Sequence, residues 1–148
     1  LKIGGIVSKA SSETISLLEE YGYNMGIAFQ IYDDILGVIA DEKKLGKPLY
    51  SDIREGKKTI IVIHALSKAN AEDREILLSA LGKRDATIRE LASAVEVLRR
   101  TGSIDYARRK ATYYAKNAIS KLIKIKSHDE EALEMLRELA LFVVEREF

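Results

Sequence analysis

Apolar side chains recur three and four residues apart along most of the chain, the spacing that collects them on one face of an α-helix. From Ser12 to about Ala40 the series Leu17, Tyr21, Met25, Ala28, Tyr32, Ile35 and Ile39 follows that rule, and Ser11-Ser12-Glu13 supplies an N-cap and an early acid for it. Leu1 to Ala10 reads as the end of an apolar helix. Beyond residue 40 the pattern lapses, and Gly46, Pro48 and Gly56 punctuate Asp41 to Lys57 as a loop. A helix is predicted from Lys58 to Asn70 through Ile60, Ile61, Ile63, Ala65 and Leu66; its β-branched residues suit a strand, but no partner strand exists for them. Glu72 to Leu81 forms the next helix, stopped by Gly82, and Ile88 to Arg100 follows, capped by Thr87 and ended by Gly102. Ser103 to about Ile125 carries the stripe Ile104, Ala107, Ala111, Tyr114, Ala115, Ala118 and Leu122. Ser127 is expected to cap a last helix with Leu133, Leu136, Leu139, Ala140, Phe142 and Val143 facing inward. The fold class this predicts is an all-α helical bundle.

At 148 residues and 47% apolar composition, the chain suits a single compact domain, residues 1–148, with a real core. A net charge of +1 with both signs interspersed argues against a nucleic-acid partner. The absence of cysteine removes disulfides and thiolate metal sites. No apolar run approaches the roughly 18 residues of a membrane span, so a cytoplasmic protein is expected.

The candidate chemistry lies where the long helix meets the loop. Gly26, Gln30, Asp33 and Gly37 share one helical stripe, whereas Asp34 projects about 100° away. Glycine inside a helix costs roughly 1 kcal/mol relative to alanine, so two of them beside a carboxylate suggest that something approaches the backbone closely. In the loop, Lys47 and Lys57 each follow a glycine. Acids on a helix and lysines beyond it suit a magnesium-bound anion, because magnesium takes one or two carboxylates plus phosphate oxygens while lysines act as point charges. Diphosphate is the candidate anion. Asp52 is either a turn former or a group acting on the metal through water. His64 has no second ligand at metal-binding spacing and reads as a core or helix-surface histidine, and Arg146 with Phe148 reads as a frayed basic end.

Phe29-Gln30-x-x-Asp33-Asp34, then Asp41, Leu45-Gly46-Lys47-Pro48, Ser51-Asp52-Ile53 and Glu55-Gly56-Lys57-Lys58-Thr59, resembles the second aspartate-rich region of the trans-isoprenyl diphosphate synthases of the geranylgeranyl and farnesyl type. The resemblance implies a prenyltransferase that condenses an allylic diphosphate with isopentenyl diphosphate in the presence of Mg2+. It makes Asp33, Lys47 and Lys57 catalytic, Asp33 and Asp34 metal-binding, and Phe29, Gln30, Lys47 and Lys57 substrate-binding. One position departs from the pattern: the usual Asp-Asp-x-x-Asp has Gly37 in third place, which leaves Asp33 as principal ligand with Asp34 or Asp41 acting through water.

Synthases of this kind run to about twice this length and carry a first aspartate-rich motif that is absent here. The resemblance therefore implies the C-terminal half of an isoprenoid synthase fold: a fragment, a split subunit or a cleaved chain. Such a chain is expected to be inactive alone, to need the N-terminal half as a separate partner, and to form a homo- or hetero-oligomer. The alternative is a non-catalytic helical subunit of a synthase complex, with Gly37 as its support. A class I terpene cyclase fits less well, since its metal-binding triad has no counterpart at the required spacing.

Overall fold

The computed structural model describes residues 1–39, 50–127 and 129–145. Every regular element among them is helical: α1 (Lys2–Val7), α2 (Ser12–Ile39), α3 (Ser51–Arg54), α4 (Ile60–Lys68), α5 (Ala71–Ala80), α6 (Ile88–Arg100), α7 (Ser103–Leu122) and α8 (Glu130–Glu145). The all-α expectation holds, and the stretch read as loop contains one short helix, α3. By packing, the chain divides into two compact units. One comprises Leu1–Gln30 with the chain from Lys110 onward, and the other Ile31–Arg109, so the division falls inside α2 and inside α7.

In the first unit, Tyr21, Ala118, Leu122, Ile125 and Ala140 form a core, with Leu17, Met25, Leu133 and Leu136 packed against it. Tyr21 is 1% exposed, so its hydroxyl cannot rely on water; it donates to the Leu136 carbonyl oxygen at 2.7 Å and ties α2 to α8. The expected N-cap of α2 is present, with Ser11 Oγ accepting from the Thr14 N–H at 3.1 Å. The cap of α8 differs from expectation. Asp129 Oδ1 accepts from the Ala132 N–H at 3.0 Å, while Ser127 Oγ accepts from the Asp129 N–H and shapes the preceding turn. A carboxylate one residue before the helix reaches the third amide, which Ser127 is too far back to do.

Leu139 and Phe142, read as inward-facing, are 49% and 61% exposed. The apolar residues of α8 are spread over more than one face, and Ala140 and Val143 take the buried one. With Leu1, Met25 and Phe29, the two exposed side chains line an open apolar groove of about 670 Å³ within this unit.

The second unit is organised by α6, which packs against α3, α4 and α5 and buries Leu91, Ala94, Val95, Val97 and Leu98. Its start is fixed as the sequence predicts. Thr87 Oγ1 accepts from the Glu90 N–H while the Glu90 carboxylate accepts from the Thr87 N–H at 2.7 Å, a complete capping box. The Lys83 ammonium donates to the same carboxylate at 2.7 Å. Lys83, and after it the Thr87 amide and hydroxyl, holds the Glu90 pKa down at about 2 against 4.5. A depressed acid stabilises the fold fully above the unfolded value of 4.5, and that contribution is lost as pH falls through about 2. A carbon-detected NMR titration of Glu90 should therefore show a midpoint near 2; a midpoint at 4.5 means the box does not persist in solution.

Among the described residues of this unit the buried polar side chains are Asp52, Thr59, Asp73 and Ser103, and each has a partner. Asp52 meets Lys57, Asp73 meets Arg100, Thr59 Oγ1 accepts from the Val62 N–H as the cap of α4, and Ser103 bonds to His64 and Thr101. A buried polar group left unbonded costs several times what a formed hydrogen bond contributes, so this pairing is a condition of the fold.

Candidate functional site

Four apolar residues of α2, Ile31, Ile35, Leu36 and Val38, are buried and fix which side of its last turns faces the core. Asp33 and Asp34 lie between them and are half-buried, at the margin of that face. Aspartate is a poor choice in mid-helix because its carboxylate competes for nearby backbone amides, so two in succession need a reason beyond propensity.

One turn past Asp33 stands Gly37. A Cβ built there would lie 2.5 Å from Asp52 Oδ2 and 2.6 Å from Asp52 Cγ. The close approach that the helix glycines suggested is made at Gly37 by this carboxylate of the same chain. Gly26, the other glycine of the stripe, is exposed and has open space before it.

Asp52 is delivered by α3, whose position is heavily determined. Ile53 is fully buried beside it, and the Ile53 carbonyl accepts from both the Gly56 N–H at 3.0 Å and the Gly82 N–H at 2.9 Å. Arg54 Nη1 donates to the Arg84 carbonyl at 2.7 Å. Gly56 then reverses the chain with φ +71°, and a Cβ on it would stand 2.9 Å from Gly82 Cα. Only a residue without a side chain suits both demands. The reversal returns Lys57 over Asp52: Lys57 N–H donates to the Asp52 carbonyl at 3.0 Å, and Lys57 Nζ to Asp52 Oδ1 at 2.5 Å, with Glu55 Oε2 at 3.3 Å. The bond to Asp52, reinforced by Glu55, pushes the Lys57 pKa up, so it is a cation at neutral pH. Its side chain is 47% exposed while that of Asp52 is 9% exposed. A buried carboxylate thus holds a half-exposed cation.

Of the sequence-predicted site residues, the structure places Asp33, Asp34 and Lys57 in one compact unit. Phe29 and Gln30 belong to the other unit; both are exposed, and Phe29 lines the apolar groove there. Lys47 lies outside the described residues, as do Asp41, Arg146 and Phe148. His64, read as a core or helix-surface histidine, is half-buried on α4. Its ring stacks on Tyr106 at 4.1 Å and its Nδ1 bonds Ser103 Oγ at 2.9 Å, while desolvation, then Lys68 and Arg109, lowers its pKa. What the sequence reading missed is the bond by which Asp52 holds Lys57. The available signal was a glycine between an acid and a lysine five positions apart, which lets the chain fold back on itself.

Among the described residues no group of three or more histidines, cysteines, aspartates or glutamates could hold a metal unaided. Magnesium does not need one, since it takes one or two carboxylates and completes its shell with phosphate oxygens and water. Half-buried Asp33, with Asp34 beside it, fits that requirement as a partial ligand set. Among the described residues no helix is long and apolar enough to cross a membrane.

The profile of the family described as polyprenyl synthetase matches residues 1–98. Over 144 residues the chain is 48% identical to the geranylgeranyl diphosphate synthase of Saccharolobus solfataricus, covering 97% of this chain and 43% of that protein. Among solved structures it resembles the geranylgeranyl pyrophosphate synthetase of Pyrococcus horikoshii, with TM-score 0.87 and 44% identity over 99% of this chain and 43% of that one. It also resembles the geranylgeranyl pyrophosphate synthase of Corynebacterium glutamicum solved with isoprenyl diphosphate and magnesium, with TM-score 0.88 and 32% identity over 95% of this chain and 40% of that one. The chain thus spans about 43% of the length of the Saccharolobus solfataricus relative and of the geranylgeranyl diphosphate synthase of Sulfolobus acidocaldarius.

Proposed function

Because the chain belongs to the polyprenyl synthetase family, we propose that it is the C-terminal half of a magnesium-dependent prenyltransferase, which joins an allylic diphosphate to isopentenyl diphosphate and works with an N-terminal half. The observation that supports this reading is that one compact unit holds two half-buried acids on α2 and a half-exposed lysine kept cationic by a buried carboxylate. That arrangement suits an anion that arrives with a metal and leaves with more charge than it had when bound.

In the reaction proposed, the bond between the allylic carbon and the diphosphate oxygen breaks with both electrons going to oxygen. The π electrons of isopentenyl diphosphate form the new carbon–carbon bond at its terminal alkene carbon, which leaves a cation on the other alkene carbon. A proton is then lost from the methylene beside that cation to the departing diphosphate, the base that the reaction itself releases. Negative charge grows on the diphosphate as the first bond breaks, so a cation fixed beforehand stabilises the transition state more than the bound substrate. Lys57 supplies that charge without reorganising, since Asp52 and Glu55 already hold it. Lys47 is assigned the same task from the loop. Magnesium, held by Asp33 with Asp34 beside it, would neutralise further phosphate charge. Phe29 and Gln30 are assigned to the border of the prenyl chain, with Gln30 able to donate and accept hydrogen bonds.

The test is an assay of the intact protein, with its N-terminal half, for incorporation of labelled isopentenyl diphosphate into a longer isoprenyl diphosphate. Product with Mg2+ and none with EDTA is expected; no product with Mg2+ and both halves present contradicts the reading. A second reading, a helical subunit without catalysis, is favoured by Gly37 in place of a third acid. Calorimetry separates the two, since a scaffold has no use for magnesium and inorganic diphosphate together.

A further inference from the structure

We propose that Gly37 and Asp52 act as one device. The glycine leaves open the space against α2 into which the Asp52 carboxylate projects, and from there Asp52 serves as a positioning residue for Lys57. The proposal rests on the reading of Lys57 as a diphosphate-binding cation.

Three observations carry it. First, the space is already taken: a Cβ at residue 37 would meet Asp52 Oδ2 at 2.5 Å, Cγ at 2.6 Å and Oδ1 at 3.0 Å. These are contacts that real side chains do not make, so something must move. Second, α3 cannot retreat as a body, because Ile53 is fully buried, its carbonyl is held by Gly82, and Arg54 is anchored on the Arg84 carbonyl. The strain therefore falls on the aspartate side chain, which has only two dihedral angles with which to avoid the new methyl group. Third, the same carboxylate is the group bonded to Lys57 Nζ at 2.5 Å, so turning it aside removes the lysine's main partner and leaves exposed Glu55 alone.

Alanine is the better helix former, so at an open helix position Gly37→Ala would strengthen α2. Here it is expected to loosen a lysine on another element. The position of Gly37 also acquires a meaning. It stands where the aspartate-rich pattern has its third acid, and in this chain the space beside it is taken by the Asp52 carboxylate.

The test is trace acetylation of the intact protein, with the reactivity of each lysine read by mass spectrometry. Lys57 should label slowly in the parent. Gly37→Ala should raise its rate several-fold, to the level of Asp52→Ala, and the double variant should add nothing further; Lys116 and Lys126 serve as unchanged references. An unchanged Lys57 rate in Gly37→Ala beside a raised one in Asp52→Ala overturns the proposal. Should Gly37→Ala fail to fold, the double variant decides: folding restored by removal of the carboxylate supports the pairing, and continued misfolding overturns it.

Calorimetry with magnesium and inorganic diphosphate then separates positioning from mere packing. Both single variants should weaken binding by about tenfold, the scale of a charge-assisted hydrogen bond. A labelling change with parental affinity overturns the positioning role. A parent that binds no diphosphate, together with the expected labelling pattern, leaves the Gly37–Asp52 pair standing and removes the prenyltransferase reading instead.

Discussion

Asp33→Ala is expected to lower kcat/KM of the proposed prenyltransferase, assayed as the intact protein, by about a thousandfold, the upper range for removing one pre-placed electrostatic group from an active site. Asp34→Ala, under the same conditions, is expected to cost about tenfold, the scale of a weaker and indirect contact. The difference follows from the helix. Residues four apart stack, so Asp33 stands directly one turn before Gly37, where the Asp52 carboxylate rests; Asp34 is rotated by about 100° from that line. Steady-state kinetics at saturating Mg2+ check this, with circular dichroism to verify that both variants fold. Equal losses would show that the two acids act as a unit and that the face assignment is wrong.

The second large effect is on stability. Gly56→Ala is expected to destabilise the protein by about 2–5 kcal/mol, from two sources that add. A left-handed backbone costs a residue with a Cβ roughly 1–2 kcal/mol, and overpacking costs typically 1–3 kcal/mol. Both apply, because Gly56 has φ +71° and its added methyl would come within 2.9 Å of Gly82 Cα. The neighbour is backbone and cannot turn aside as a flexible side chain would. Urea unfolding measures the change, and an unaltered midpoint would mean that the reversal between α3 and Lys57 is looser than described.

The helices were legible because their apolar spacing is regular and their ends carry ordinary signals. Thr87 with Glu90 announces α6, and Gly82 and Gly102, both at positive φ, mark where α5 and α6 stop. α3 was not legible: four residues are too few for a period, and Tyr50 before it adopts φ 58°, an uncommon choice for a residue with a side chain. Ser127 misled because it has the chemistry of a cap, and only the geometry shows that Asp129 takes the role. Leu139 and Phe142 misled because apolar residues spread around α8 do not say which face is covered.

At the candidate site, the sequence order marked Asp33, Asp34 and Lys57 as chemistry. It could not show that Asp52 is buried and bonded to Lys57, since that depends on Ile53 and Gly56 placing α3 against the α5–α6 connection. The meaning of Gly37 was hidden for the same reason: a glycine in a helix shows that room is needed, and the occupant comes from elsewhere in the chain.

The central proposal is that Asp33 and Lys57 act on one metal-bound diphosphate. Its most direct test is NMR of the isotopically labelled intact protein titrated with Mn2+ and inorganic diphosphate together. Paramagnetic broadening centred on the backbone around Asp33, reaching Lys57 and requiring both additions, is the predicted result. Broadening centred elsewhere, or none at those two residues, would contradict it.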